Sequence, residues 1–199
     1  MTVDELVMYS QPIRSVPIDP VDRPPPEAAS APTALCVPKE LWRVVDAIYE
    51  KGLHAPHLFV EPGVPQEVAL IRECLDTGAP FGTTCRIHSY TEVLVSFLSS
   101  LAAPIVPLAM FPSTEIDSQN IQMTARRVLE ELAPIHYNVF VYVISFLREV
   151  LGQRQQNLVT PAKLARICST CLCETEDVPE AKRTGMQLVF LHLLETTSI

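Results

Sequence analysis

The chain has 199 residues, 48% of them hydrophobic and 19% charged, which suits one packed domain plus a tail and excludes general disorder. Its formal net charge of -8 argues against a nucleic-acid binder, because neutralising phosphates needs a basic face, and it disfavours an anionic membrane surface too. Six cysteines are too few for a disulfide scaffold, and the opening MTVDELVMYS has acids where a secretory signal carries positive charge, so a reducing, cytosolic setting is expected.

Residues 1–37 read as a proline-rich arm or linker without helical or strand periodicity, and PPP at 24–26 is its densest point. Its structured candidates are the apolar pieces at 6–8 and 16–18, short enough to add a strand to something outside the chain. From Pro38 the pattern is helical. In PKELWRVVDAIYEKG, proline opens a helix and Gly52 supplies a left-handed stop. Leu41, Val44, Val45 and Ile48 form its apolar stripe, with Trp42 at the edge and Asp46 one turn further on, facing solvent.

Further helices are predicted at about 65–75 and 88–101, followed by a proline-broken segment with a short apolar turn through residue 112. Residues 119–132 make an amphipathic helix, and Pro134 opens the next, PIHYNVFVYVISFLREVLG. That helix is apolar almost all round between Val139 and Leu147, which predicts a path through the centre of the bundle. The same run is interrupted by Ser145 and falls far short of the roughly 20 residues that span a bilayer, so no transmembrane segment is expected. A helix at 160–172 has Thr160 as cap and Pro161 at its first position, and a last helix covers about 179–195. No repeat and no strand-like alternation is present, so the fold class is all-α.

The chemistry-bearing residues are few. Cys168, Cys171 and Cys173 in ICSTCLC, with Cys85 and His88 elsewhere, offer one CxxC pair and no second, whereas a structural zinc needs four ligands. Buried free thiols on a helix are the expectation, and no metal or cofactor is implied. His54 and His57 in HAPH have no carboxylate or nucleophile arranged with them and read as loop histidines. No GxGxxG, Walker loop, GxSxG or HExxH occurs.

Three stretches in order, LFVEPG at 58–63, VLVSFLSSLAAPIV at 93–106 and HYNVFVYVISFLREVL at 136–151, resemble the arginine-finger loop, the helix leading to the proline turn and the central helix of the RhoGAP domain. The resemblance covers about residues 38–195 and implies a RhoGAP-like helical bundle preceded by the arm. Within that superfamily, VPKELWRVVDAIY, RECLDTG, His88-Ser89 and EAKRTGMQLVFLHLL resemble the RhoGAP-like domain of the type II inositol polyphosphate 5-phosphatases. SVPIDP at 15–20 is similar to the joint between that family's preceding β-domain and its RhoGAP-like domain, and no phosphatase domain is recognisable here.

The resemblance places the GAP arginine at Val60, the lysine and arginine of the following helix at Val95 and Ser99, and the asparagine of a later helix at Lys163. All four are replaced. It therefore implies a pseudo-GAP without catalytic residues, as in the phosphatases it resembles, with a relocated arginine such as Arg72 or Arg86 as the active alternative. A Rho-family small GTPase of the Rac or Cdc42 kind is one implied partner. The other is a short helical peptide of endocytic adaptors, received by Leu41, Trp42, Val45 and Asp46, which would bring a cytoplasmic protein to endosomal membranes. Read from the residues alone, LFVEPG is a surface turn, and Trp42 is equally the edge of the core.

Overall fold

The computed structural model describes residues 36–112, 116–117, 119–173 and 177–196. The arm at 1–35, with its two strand candidates, lies outside them. Eight α-helices are described: α1 (Lys39–Lys51), α2 (Pro65–Thr77), α3 (Ile87–Ser99), α4 (Ile121–Glu131), α5 (Pro134–Gly152), α6 (Arg154–Asn157), α7 (Pro161–Cys171) and α8 (Glu180–Glu195), with a 3₁₀ turn at Leu108–Met110. No strand occurs among the described residues beyond one isolated parallel bridge between Val106 and Cys173.

Helix starts and stops follow local chemistry. Thr160 Oγ accepts the Lys163 N–H at the head of α7, and Pro161 takes the first position, where a missing N–H costs nothing. α1 stops at Gly52, whose φ of 101° is open to glycine and whose N–H returns to Ile48 and Tyr49 carbonyls. α2 runs two residues past its expected end, to Gly78 in the left-handed conformation. The short α6 was not expected from periodicity, since four residues carry none.

Helix α3 packs against α1, α2 and α7, and α8 packs against α4, α5 and α7. These two helices organise the bundle. Leu41, Val44, Val45 and Ile48 of α1 are fully buried, as their stripe predicts. α5 buries most of its apolar run. Val139, Phe140, Val143, Ile144, Phe146, Leu147 and Val150 are buried, but Ser145 and Glu149 are exposed and Val141 and Tyr142 only half-buried. The hub is α8, where Met186, Val189 and Phe190 are sealed and Gly185 lets Ile116 approach to 3.1 Å of where a Cβ would stand. Ser145 and Glu149 keep their polar groups in water on the outer side of α5.

Cys168, Cys171 and Cys173 are buried free thiols, in α7 and just past its end. Burial pushes all three up, Cys171 to about 12, so they are held as thiols and pack as small apolar groups.

Candidate functional site

The loop joining α1 to α2 contains LFVEPG and is held from both ends. Leu58 is fully buried, and the Phe59 ring meets the Phe146 ring edge-on at 6.3 Å. Between these anchors and the second half of the loop the backbone turns tightly, with the Val60 and Glu61 N–H groups both donating to the His57 carbonyl at 2.9 and 3.0 Å. Val60 stands on the outside of that turn, 51% exposed.

The second half of the loop is tied to the first turns of α3. Gly63 N–H donates to Glu92 Oε2 at 2.7 Å, Val64 N–H to Ser89 Oγ at 3.1 Å, and Ser89 Oγ in turn to Glu67 Oε2 at 2.6 Å. The Arg86 N–H donates to the same Glu67 oxygen at 2.8 Å, and His88 Nε2 lies 3.2 Å from Glu61 Oε2. The Ser89 hydroxyl, the Arg86 N–H and the nearby Arg86 charge hold the Glu67 carboxyl below its ordinary range. Gly63 must be glycine here, because a Cβ would sit 2.6 Å from Ser89 Cα and 2.9 Å from Val68 Cγ2.

A third anchor comes from far along the chain. Asn157 is completely buried; its Nδ2 donates to the Leu53 carbonyl at 2.9 Å and the Val150 carbonyl at 2.7 Å, and its Oδ1 accepts the Val159 N–H at 2.9 Å. Its own carbonyl accepts the His57 N–H at 2.8 Å. One side chain thus ties the end of α1, the end of α5 and the entry to α7. His57, Phe59 and Leu158 around this junction all have φ near +60°, at 59°, 60° and 61°. Such conformations cost a non-glycine residue of order 1 kcal/mol or more, so the surrounding bonds must hold them.

Of the residues expected at the GAP face, Val60 and Ser99 are exposed, and Val95 and Lys163 are half-buried. None carries a guanidinium. Of the arginines considered as replacements, Arg72 lines a cleft between α2 and α3, and Arg86 belongs to the Glu67 anchor.

The α1 residues divide sharply. Leu41 and Val45 are 0% exposed and have no surface to offer a partner, whereas Trp42 is 39% exposed and Asp46 is open to solvent. Tyr49, 44% exposed, extends the same helical strip at i+7 from Trp42 and packs edge-on against Phe146 at 5.5 Å. Tyr142 of α5 borders the strip: burial first, then Tyr49 and Asp46 nearby, push its hydroxyl well up. Tyr49 could have been read from helical spacing. Tyr142 is brought there only by packing.

The chain is an all-helical bundle that projects a short, firmly anchored loop between its first two helices. The chain matches the RhoGAP domain over residues 38–177, and it belongs to that family. It is 33% identical over 136 residues to the type II inositol 1,4,5-trisphosphate 5-phosphatase of Mus musculus, a match covering 68% of this chain and 14% of that protein. It is 27% identical over 133 residues to Rho GTPase-activating protein 22 of the same species, covering 62% of this chain and 19% of the relative. The chain therefore spans less than a fifth of the length of either relative. Among solved structures, the fold is similar to the BH domain of GRAF, the GTPase regulator associated with focal adhesion kinase. That match has a TM-score of 0.67 and 17% identity, and covers 78% of this chain and 89% of that one. No described helix is long and apolar enough to cross a membrane.

Proposed function

We propose that this RhoGAP domain is a catalytically inactive protein-interaction module of the inositol polyphosphate 5-phosphatase kind. It holds partners without accelerating GTP hydrolysis. The reading rests on one observation above the others: the firmly held LFVEPG loop projects an aliphatic side chain, Val60, outward. An arginine inserted beside a transferring phosphoryl group contributes roughly 10³ to 10⁵ in rate by stabilising developing charge, and valine has neither charge nor donor.

Two partners suit the surfaces. A short helical peptide from an endocytic adaptor would lay an aromatic anchor against Trp42 and Tyr49 and meet Asp46 at the rim. Leu41 and Val45 then act from beneath, by fixing the helix. A Rac- or Cdc42-like GTPase would be recognised across Val60, Val95, Ser99 and Lys163 without being activated. Either would bring a cytoplasmic protein to endosomal membranes and signalling complexes through its partners.

Single-turnover GTP hydrolysis by Rac and Cdc42 with saturating chain tests the inactive reading. The expected rate is the intrinsic one, with acceleration only when Val60→Arg restores the guanidinium. A hundredfold acceleration by the unaltered chain, abolished by changing Arg72 or Arg86, overturns it. For the α1 strip, Trp42→Ala should weaken an adaptor peptide by about 30-fold, the size of a hot-spot loss, while circular dichroism is unchanged. An unfolded variant, or undiminished binding, overturns that assignment.

A further inference from the structure

Helices α2 and α3 part along one side to form a cleft of about 460 Å³, within the range of sites that take peptides and small molecules. Its apolar lining comes from Leu75, Val93 and Phe97, and its charged residues are Arg72, Asp76 and Glu40 of α1. Among the described residues, none of these three charged groups has an ion-pair partner. The cleft is separate from both surfaces above. Val93 and Phe97 follow one strip of α3, while Val95 and Ser99 follow another, and Glu40 lies across α1 from Trp42, Asp46 and Tyr49.

The start of α1 lies beside this cleft. Val37 and Pro38 are buried, which fixes where the preceding chain leaves the bundle, and Glu40, two residues further on, already lines the cleft. Within the arm, IDPVDR at 18–23 combines two apolar residues, Ile18 and Val21, with Asp19, Asp22 and Arg23, and runs into PPP. An acid of this stretch complements Arg72, and Arg23 complements Asp76 and Glu40. The 14 residues from Arg23 to Val37 have a contour of at most about 45 Å, long enough to reach the first turn of α1. A tethered segment is presented at an effective concentration on the order of 1 mM, so even a weak site fills. Proline-rich chain also loses little conformational entropy on docking.

We propose that the α2–α3 cleft is the intramolecular seat of residues 18–23 of the same chain. The proposal is independent of the GTPase and adaptor readings. It is tested by fluorescence anisotropy with a labelled peptide of residues 15–26 added to the full chain. The peptide should bind a chain carrying Ile18→Asp and Val21→Asp at least tenfold more tightly than the unaltered chain, whose own arm competes for the cleft. Adding Arg72→Glu and Asp76→Arg to that variant should weaken the peptide at least tenfold. Both positions are exposed, so the fold is not at stake. Equal affinity for the unaltered and arm-altered chains, or affinity indifferent to the cleft charges, overturns the proposal. Absence of binding to every chain does so as well, and leaves the cleft to a segment of another protein.

Discussion

Replacing Asn157 with alanine removes a side chain that serves three backbone groups at once. The buried Val159 N–H loses its only partner among the described residues, at 2.9 Å, while the Val150 carbonyl loses the 2.7 Å bond but keeps the Gln153 N–H at 3.1 Å. Each buried group left unpaired costs about 1–3 kcal/mol, whereas the half-open Leu53 carbonyl can turn to water and adds little. With one group orphaned and one bond weakened, the loss is about 2 kcal/mol. With a urea slope of about 2 kcal/mol/M, the unfolding midpoint of Asn157→Ala should fall by about 1 M at unchanged slope. Equilibrium urea denaturation followed by circular dichroism measures it, with Gln153→Ala, at an exposed neighbouring position, as the control. Amide exchange in residues 53–60 should rise in parallel, since the end of α1 loses its tie. A midpoint shift below about 0.5 M, or a loop no more open than before, would refute the view that Asn157 holds the junction.

Gly63→Ala places a methyl group 2.6 Å from the Ser89 α-carbon, which only a backbone shift can relieve; a loss of about 1–3 kcal/mol is expected by the same denaturation, and a neutral result contradicts the close approach. Glu67 connects the loop to acid sensitivity. Its folded pKa lies below the ordinary 4.5, so its contribution is fully present above that value and is lost as pH falls through the lowered folded one. Melting temperature from pH 6 down to pH 3 should therefore fall more steeply for the unaltered chain than for Glu67→Gln, and parallel curves would remove Glu67 from the anchor.

What could be read from sequence was what neighbouring residues decide. Thr160-Pro161 announces the start of α7, Gly52 the end of α1, and the spacing of Leu41, Val44, Val45 and Ile48 its buried face, because capping, positive φ and helical periodicity act within about four residues. The same locality placed Trp42 and Asp46 on the outer edge of α1. The order of the three RhoGAP-like stretches was likewise visible as a linear pattern, and with it the family.

Tertiary structure alone decided the rest. Nothing near Asn157 in sequence shows that it reaches Leu53, 104 residues earlier, and nothing near His88 and Ser89 shows that they receive Glu61 and Val64. α5 is more apolar than α8, yet it is α8 that packs against α4, α5 and α7, since composition does not set which helices surround a face. Tyr142 meets Asp46 only because α5 packs beside α1. Local sequence sets which elements form. How a loop is held, and which side chains share a surface, follow from shape complementarity among distant helices, which no short window of residues contains.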